Sequence, residues 1–275
     1  MKHAMPYLPE RLASWGLSVW SAMVLLFLVT PILAVVPLSF SSGSMLTYPL
    51  PGLSMRWYAS VLESDRWLPA LGHSLMIGIA ATILATVLGT LAALGLGRLP
   101  KAIRGLVMAV LLSPMIVPSI IAGVGIYFFF APLGLTGSFL GLILAHTALA
   151  VPFVVVTVGA SLAGFDTNLM RAGASLGAAP VDAFRRVMLP LILPGVASGA
   201  VFAFTTSFDE VVVALFLAGP QQRTLPREMF IGIREQISPE ITALATMLII
   251  VSTALLLTME ALRRRGERLR RVQVI

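Results

Sequence analysis

The sequence predicts an all-α integral membrane protein, and three observations carry that fold class. Of 275 residues, 58% are hydrophobic and 11% charged, with mean hydropathy +0.96, whereas a soluble domain runs nearer a quarter charged. Six apolar stretches each reach the ~20 residues that a helix needs to cross a ~30 Å hydrocarbon core. The basic residues gather in short groups abutting those stretches instead of spreading over a surface.

The first stretch, 17–40, holds no charge. It exceeds the ~7–15-residue core of a signal peptide and is followed by no small-residue cleavage site, so it is expected to be a retained anchor. An outer loop, 41–67, follows, and its segment Ser54-Met55-Arg56-Trp57-Tyr58 is expected to form a short interfacial helix, since aromatic rings prefer that depth. The remaining spans are expected at 68–96, 105–131, 137–164, 189–217 and 241–262. Ser113-Pro114 and Pro118 are expected to bend the third. The sixth opens on Ser238-Pro239-Glu240, an N-cap, a first-turn proline and an acid near the positive end of the helix dipole. A second long outer loop runs 218–238.

The charge distribution orients these spans. With the N-terminus in the cytoplasm, 14 of the 19 basic residues lie inside: Lys2, Arg11, Arg98, Lys101, Arg104, Arg171, Arg185, Arg186 and six arginines from Arg263 to Arg271. Arg56, Arg66, Arg223, Arg227 and Arg234 lie outside. Cytoplasmic loops are the ones that carry the basic excess, so both termini are expected inside. Nucleic-acid binding is not expected, because no reading motif accompanies the charge. The absence of cysteine excludes disulfides, thiolate metal sites and thiol chemistry.

One inside loop, 165–188, is long enough to present a surface. A short helix is expected from Asp166 or Thr167, stopping at Gly177, with a second from Pro180. Ala172, Gly173 and Ala174 keep the first helix thin enough to seat in a groove. The loop resembles the EAA motif of ABC importer permeases, which reads E-A-A, three residues, G, nine residues, I, one residue, L-P. Gly177, Val187, Leu189 and Pro190 match its second half in register. Arg171 stands where that family usually has Glu, and Gly173 where it has the second Ala.

Towards the C-terminus, Ser207-Phe208-Asp209-Glu210, Gly219-Pro220, Thr224-Leu225-Pro226 and the 238–246 segment resemble the second permease subunit of spermidine/putrescine importers. The resemblance implies the type I ABC importer permease fold and a bacterial inner-membrane location. It also implies a role as one half of the pathway for a polyamine, the alternatives being another small solute (iron, opine, amino-acid-like compound, sulfate) or a stand-alone secondary transporter. The implied partners are a second homologous permease subunit, two ATPase subunits that bind ATP and Mg, an extracytoplasmic binding protein and the bilayer. Arg171, Ala172, Gly173, Ala174, Gly177, Leu189 and Pro190 are then the expected ATPase-coupling residues. The expected organisation is an anchor helix and outer loop (1–67), a permease core (68–262) containing the coupling loop, and a basic cytoplasmic tail (263–275).

Asp209 and Glu210 interrupt an otherwise uncharged run, 191–217. A charge at the bilayer centre costs about 2.5–3.5 kcal/mol on insertion scales, so such residues tend to face a water-filled path or a partner. One reading has the pair line an outer gate and meet a cationic cargo. The other has Asp209 cap a broken helix or pair with Arg223 or Arg227. Tyr127 and Phe128-Phe129-Phe130 offer cation–π faces, or else pack against lipid or a neighbouring subunit.

Gly173-Ala174-Ser175-Leu176-Gly177 spells a hydrolase nucleophile elbow, but that elbow needs a preceding strand and a reachable histidine. The histidines are His3 at the terminus, His73 near the outer end of the second span and His146 within the fourth. No glycine-rich phosphate loop ending in Lys-Ser/Thr occurs, so no cofactor is expected on this chain, and a non-catalytic transport subunit is the reading.

Overall fold

The computed structural model describes residues 8–235 and 237–272, with segments 8–13, 255–256 and 258–272 described by backbone only. Lys2, His3 and the last three positions of the basic tail lie outside the described residues. In chain order the helices are α1 (Leu8–Ser39), α2 (Arg56–Glu63), α3 (Trp67–Leu96), α4 (Lys101–Ile116), α5 (Ser119–Phe130), α6 (Phe139–Ala163), α7 (Asn168–Ser175), α8 (Pro180–Ala183), α9 (Leu189–Phe208), α10 (Val212–Leu217), α11 (Leu225–Glu235) and α12 (Pro239–Val272). Among the described residues, β structure amounts to an isolated antiparallel bridge between Ser41 and Leu53.

Packing divides the chain into two compact units: residues 65–231, and the described parts of 1–64 with 232–275. In the first unit α3, α6 and α9 pack against one another. All three are apolar around their whole circumference, so hydrophobicity alone does not select their inner faces; on α3 and α9 small side chains mark them. On α3 the buried positions include Ala70, Ser74, Gly78, Ala81, Ala85, Gly89 and Ala93, at helical spacing. Ile79, Ile83, Val87 and Leu91 on the same helix stay exposed. Helices in lipid gain nothing by hiding bulky apolar groups from one another, and small residues let their backbones approach closely. At Gly199 of α9 a Cβ would come 2.6 Å from Thr157 Oγ1 and 3.0 Å from Val154 Cα on α6.

The second unit is built on α12, which packs along α1 and against α2. α1 leaves Trp15, Trp20 and Phe27 exposed, as a lipid-facing helix does. The loop before α2 is pinned by polar contacts. Trp57 Nε1 donates to the Ser41 carbonyl at 2.9 Å, and the hydroxyls of Ser39 and Tyr58 meet at 2.6 Å. Ser60 Oγ donates to Glu240 Oε1 at 2.7 Å, which ties α2 to the first turn of α12.

Four helices are long and apolar enough to cross a membrane: Ser14–Ser39, Trp67–Leu96, Phe139–Ala163 and the run Pro180–Phe208. The pair α4 and α5 makes a fifth if it is one span. Within α12 the apolar helix Pro239–Ala254 is shorter.

Four expectations change in detail. The third stretch does not merely bend: α4 and α5 meet at 107°. Val117, forced to an extended conformation (ψ 130°) by the proline that follows it, separates them. The fifth stretch does not run to 217, because α9 ends at Phe208 and a new helix, α10, begins at Val212. The second helix of the 165–188 loop is not separate either. α8 passes through a π-helical segment, Phe184–Met188, directly into α9. The loop at 218–238 contains α11, an amphipathic helix that opens at Thr224-Leu225-Pro226 and whose polar face keeps it from reading as an apolar run.

Candidate functional site

Two regions carry the residues singled out from the sequence. The first is the knob formed by α7. Asp166 Oδ1 accepts from the Asn168 N–H at 2.9 Å and satisfies one of the free donors at the start of the helix. At the other end Gly177 adopts φ 84°, the left-handed conformation that glycine takes without penalty. The Ala178 N–H then reaches the Gly173 carbonyl (3.1 Å) and the Gly177 N–H the Ala174 carbonyl (3.0 Å). Those two bonds are the Schellman closure of a helix end. The stop expected at Gly177 is therefore a defined geometric cap.

Arg171, Ala172, Ala174 and Gly177 are exposed, and Gly173 is half-buried. A Cβ at Gly173 would sit 3.7 Å from the Ala183 Cβ, an ordinary contact. Gly173 thus sits against α8 with room for an alanine at contact distance. Arg171 Nη1 reaches Asn168 Oδ1 at 3.4 Å and forms no ion pair among the described residues. Beside these polar groups Leu169, Leu176 and Val181 are exposed, Leu176 at 89%. Leu189 and Pro190 do not join the knob. They open α9, linked to α7 through α8 and the π segment.

The second region is the break between α9 and α10. Glu210 Oε1 accepts from the Val213 N–H at 2.8 Å, so Glu210, not Asp209, caps the broken helix. Asp209 is exposed. It pairs with neither arginine proposed for it: Arg227 Nη1 lies 3.2 Å from Glu228 Oε1, and Arg223 Nε donates to the Pro220 carbonyl. Glu228 is buried at 6% exposure and also takes Arg66 Nε at 2.8 Å. This ion-pair cluster, together with the Leu225 N–H donating to Ser74 Oγ at 2.7 Å, holds the start of α11 against the first turns of α3. No sequence signal separates Glu228 from the other loop charges, because its partner Arg66 is 162 residues away.

The four aromatic residues of α5 do not make a box. Phe130 is buried in a core with Leu142, Val213 and Leu217, while Phe128 and Phe129 are exposed. Tyr127 is part-exposed and edge-on to Phe128. α5 packs on α10, with Gly123 facing the ring of Phe216.

Sequence reasoning gave His146 no role. It is buried in α6, and its Nδ1 meets Ser207 Oγ of α9 at 2.8 Å. Ser175 donates to the Arg171 carbonyl. From His146 to the α7 end of α6 the helix runs about 25 Å, so the two are not a nucleophile and its base.

These features define the class of the molecule: a polytopic α-helical membrane protein with a small-residue core and a projecting helical knob. Residues 85–272 match the family model of the binding-protein-dependent transport system inner membrane component, and the chain belongs to that family. It is similar to the spermidine/putrescine transport system permease protein PotC of Escherichia coli K12, at 34% identity over 238 residues, 86% of this chain and 90% of the relative. It is also 34% identical over 244 residues to the putrescine transport system permease protein PotI of the same organism, covering 84% and 86% of the two chains. Among solved structures, a bacterial ABC transporter involved in the import of the acidic polysaccharide alginate superimposes with TM-score 0.74 at 16% identity. That superposition covers 94% of this chain and 99% of the other, and shows the fold.

Proposed function

We propose that this chain is one of two permease subunits of an ATP-driven bacterial importer for polyamines, spanning the inner membrane six times with both termini in the cytoplasm. The observation that carries the reading is the 34% identity, along most of the chain, to permeases named for spermidine and putrescine. The excess of basic residues assigned inside, 14 of 19, supports the orientation. Counting α4 with α5 as one crossing and α12 as another supports six spans.

In this reading ATP hydrolysis belongs to a separate partner chain, and α7 receives its motion. The residues that receive it are Arg171, Ala172, Gly173, Ala174 and Gly177, with Leu189 and Pro190 passing it on. α7 rests on α8, and α8 continues without a gap into α9. α9 has 20 residues and so spans about 30 Å, from the knob end to the break at Asp209 and Glu210. A shift of the knob is thereby delivered toward the outer mouth along one continuous run of helix. There Asp209, free of any ion pair among the described residues, compensates the desolvation of an arriving ammonium group. Glu210 holds the mouth's geometry by capping α10, and Tyr127 of α5, which packs on α10, offers a cation–π face. An extracytoplasmic binding protein delivers the cargo.

The test is co-expression with the neighbouring permease, ATPase and binding-protein genes in cells lacking their own polyamine uptake. The expected result is ATP-dependent accumulation of labelled spermidine or putrescine and co-isolation of an ATPase with this chain. Co-isolation with uptake of a different solute would refute the polyamine assignment alone. Full transport by the lone chain in vesicles would refute the ATP-driven reading.

A further inference from the structure

At the end of the core unit that carries α7, a cavity of about 670 Å³ opens between the last turns of α3, the start of α4, the end of α6, and α7 with α8. Its wall is largely apolar, with Leu94, Met108, Leu162, Phe184 and Met188 contributing. Its cations are Arg98 and Arg104, and none of its lining residues is acidic. Neither guanidinium has an ion-pair partner among the described residues. The outer face of α4 beyond the cavity is apolar and exposed at Ile103, Leu106 and Val110.

The sequence assigned Arg98 and Arg104 only to topology, and topology asks for charge near the membrane surface, not for a recess. Here two uncompensated cations flank an apolar cavity that continues onto a lipid-type surface. A soluble phosphate would satisfy the arginines and leave the apolar wall facing water. An acyl chain alone would fill the wall and leave the arginines unpaired. An anionic amphiphile satisfies both, and basic pockets between helix ends on the cytoplasmic side are suited to acidic headgroups.

We propose that this cavity binds an anionic phospholipid of the inner leaflet, its phosphate held by Arg98 and Arg104 and its chain lying between Met108, Leu162, Phe184 and Met188. Met170 of α7 and Phe184 of the π segment line the same cavity. The bound lipid therefore touches both the knob and its link to α9, and its presence stiffens that link.

The inner-leaflet assignment rests on the orientation proposed above, so the experiment reads binding and sidedness separately. The full chain, purified in an uncharged maltoside detergent, is titrated with phosphatidylglycerol, with phosphatidylcholine of the same acyl chains, and with glycerol 3-phosphate, and retained ligand is counted by native mass spectrometry. Phosphatidylglycerol is expected to be retained in preference to both other probes. Arg98→Gln with Arg104→Gln should weaken that retention about 30-fold, while Arg98→Lys with Arg104→Lys should keep most of it. Equal retention of phosphatidylcholine, equal binding of glycerol 3-phosphate, or retention unchanged by the glutamine pair would overturn the lipid site. So would loss of the lipid once the ATPase partner is bound, which would give the cavity to a polypeptide. Separately, Ser175→Cys in intact cells should react only with a membrane-permeant thiol reagent. Reaction with an impermeant one would overturn the orientation and the inner-leaflet assignment together, whatever the lipid result.

Discussion

His146 Nδ1 lies 2.8 Å from Ser207 Oγ, joining α6 to the last turn of α9 one residue before that helix ends at Phe208. Both side chains are buried, at 1% and 4% exposure. The bond anchors the last turn of α9 to α6 just ahead of Asp209 and Glu210. His146→Leu keeps the bulk but leaves the Ser207 hydroxyl without its partner, a loss of about 1–3 kcal/mol. A lower unfolding midpoint in detergent is expected, together with reduced uptake. Pairing it with Ser207→Ala should recover part of the stability; a double variant as unstable as the sum of the singles would contradict the tie.

The knob depends on Gly177. At φ 84° an alanine costs about 1–2 kcal/mol, whereas asparagine tolerates the left-handed conformation better. Gly177→Ala is expected to reduce the amount of ATPase that co-purifies, and Gly177→Asn to reduce it less. Equal co-purification by all three proteins would show that the cap does not shape the docking surface.

Close helix approach makes a contrast between two glycines. A Cβ at Gly199 meets Thr157 Oγ1 at 2.6 Å and the backbone of Val154 at 3.0 Å, while one at Gly72 meets nothing within 4 Å. Gly199→Ala should therefore destabilise by about 1–3 kcal/mol through overpacking, and Gly72→Ala should be neutral in the same thermal assay.

Asp209 and Glu210 should separate cleanly despite being neighbours. Glu210→Ala removes the cap of α10, a cost of about 0.5–2 kcal/mol, and should lower both stability and uptake. Asp209→Asn should leave the unfolding midpoint in place and raise the cargo concentration needed for half-maximal uptake. Unchanged transport by Asp209→Asn would remove this carboxylate from the pathway.

Much of this architecture is legible in the chain. The apolar runs place α3 and α6 within two residues of their observed limits and α1 at its C-terminal end only, since that helix begins nine residues before the run, and Ser238-Pro239-Glu240 marks the first turn of α12. Gly177 announces its own turn. What escaped was set by single dihedrals or by distant partners. Pro118 signals a bend, but no local rule turns a bend into 107°. The carboxylates at 209 and 210 signal something costly, yet only the position of the Val213 N–H decides which one is the cap. The inner faces of α3 and α9 were unreadable from hydropathy, since both faces are apolar; small residues marked them instead. The His146–Ser207 and Arg66–Glu228 contacts join residues far apart in the chain and carry no local pattern at all.

The central claim is that α7 takes force from a motor subunit. With no native cysteine in the chain, Ala174→Cys and Leu176→Cys give unambiguous attachment points on the exposed knob. In vesicles that accumulate cargo, a short bifunctional thiol reagent is expected to join these positions to the ATPase subunit, with a yield that changes between nucleotide-free and ATP-bound states. Sustained uptake with no ATPase adduct at either position, in any nucleotide state, would contradict the account.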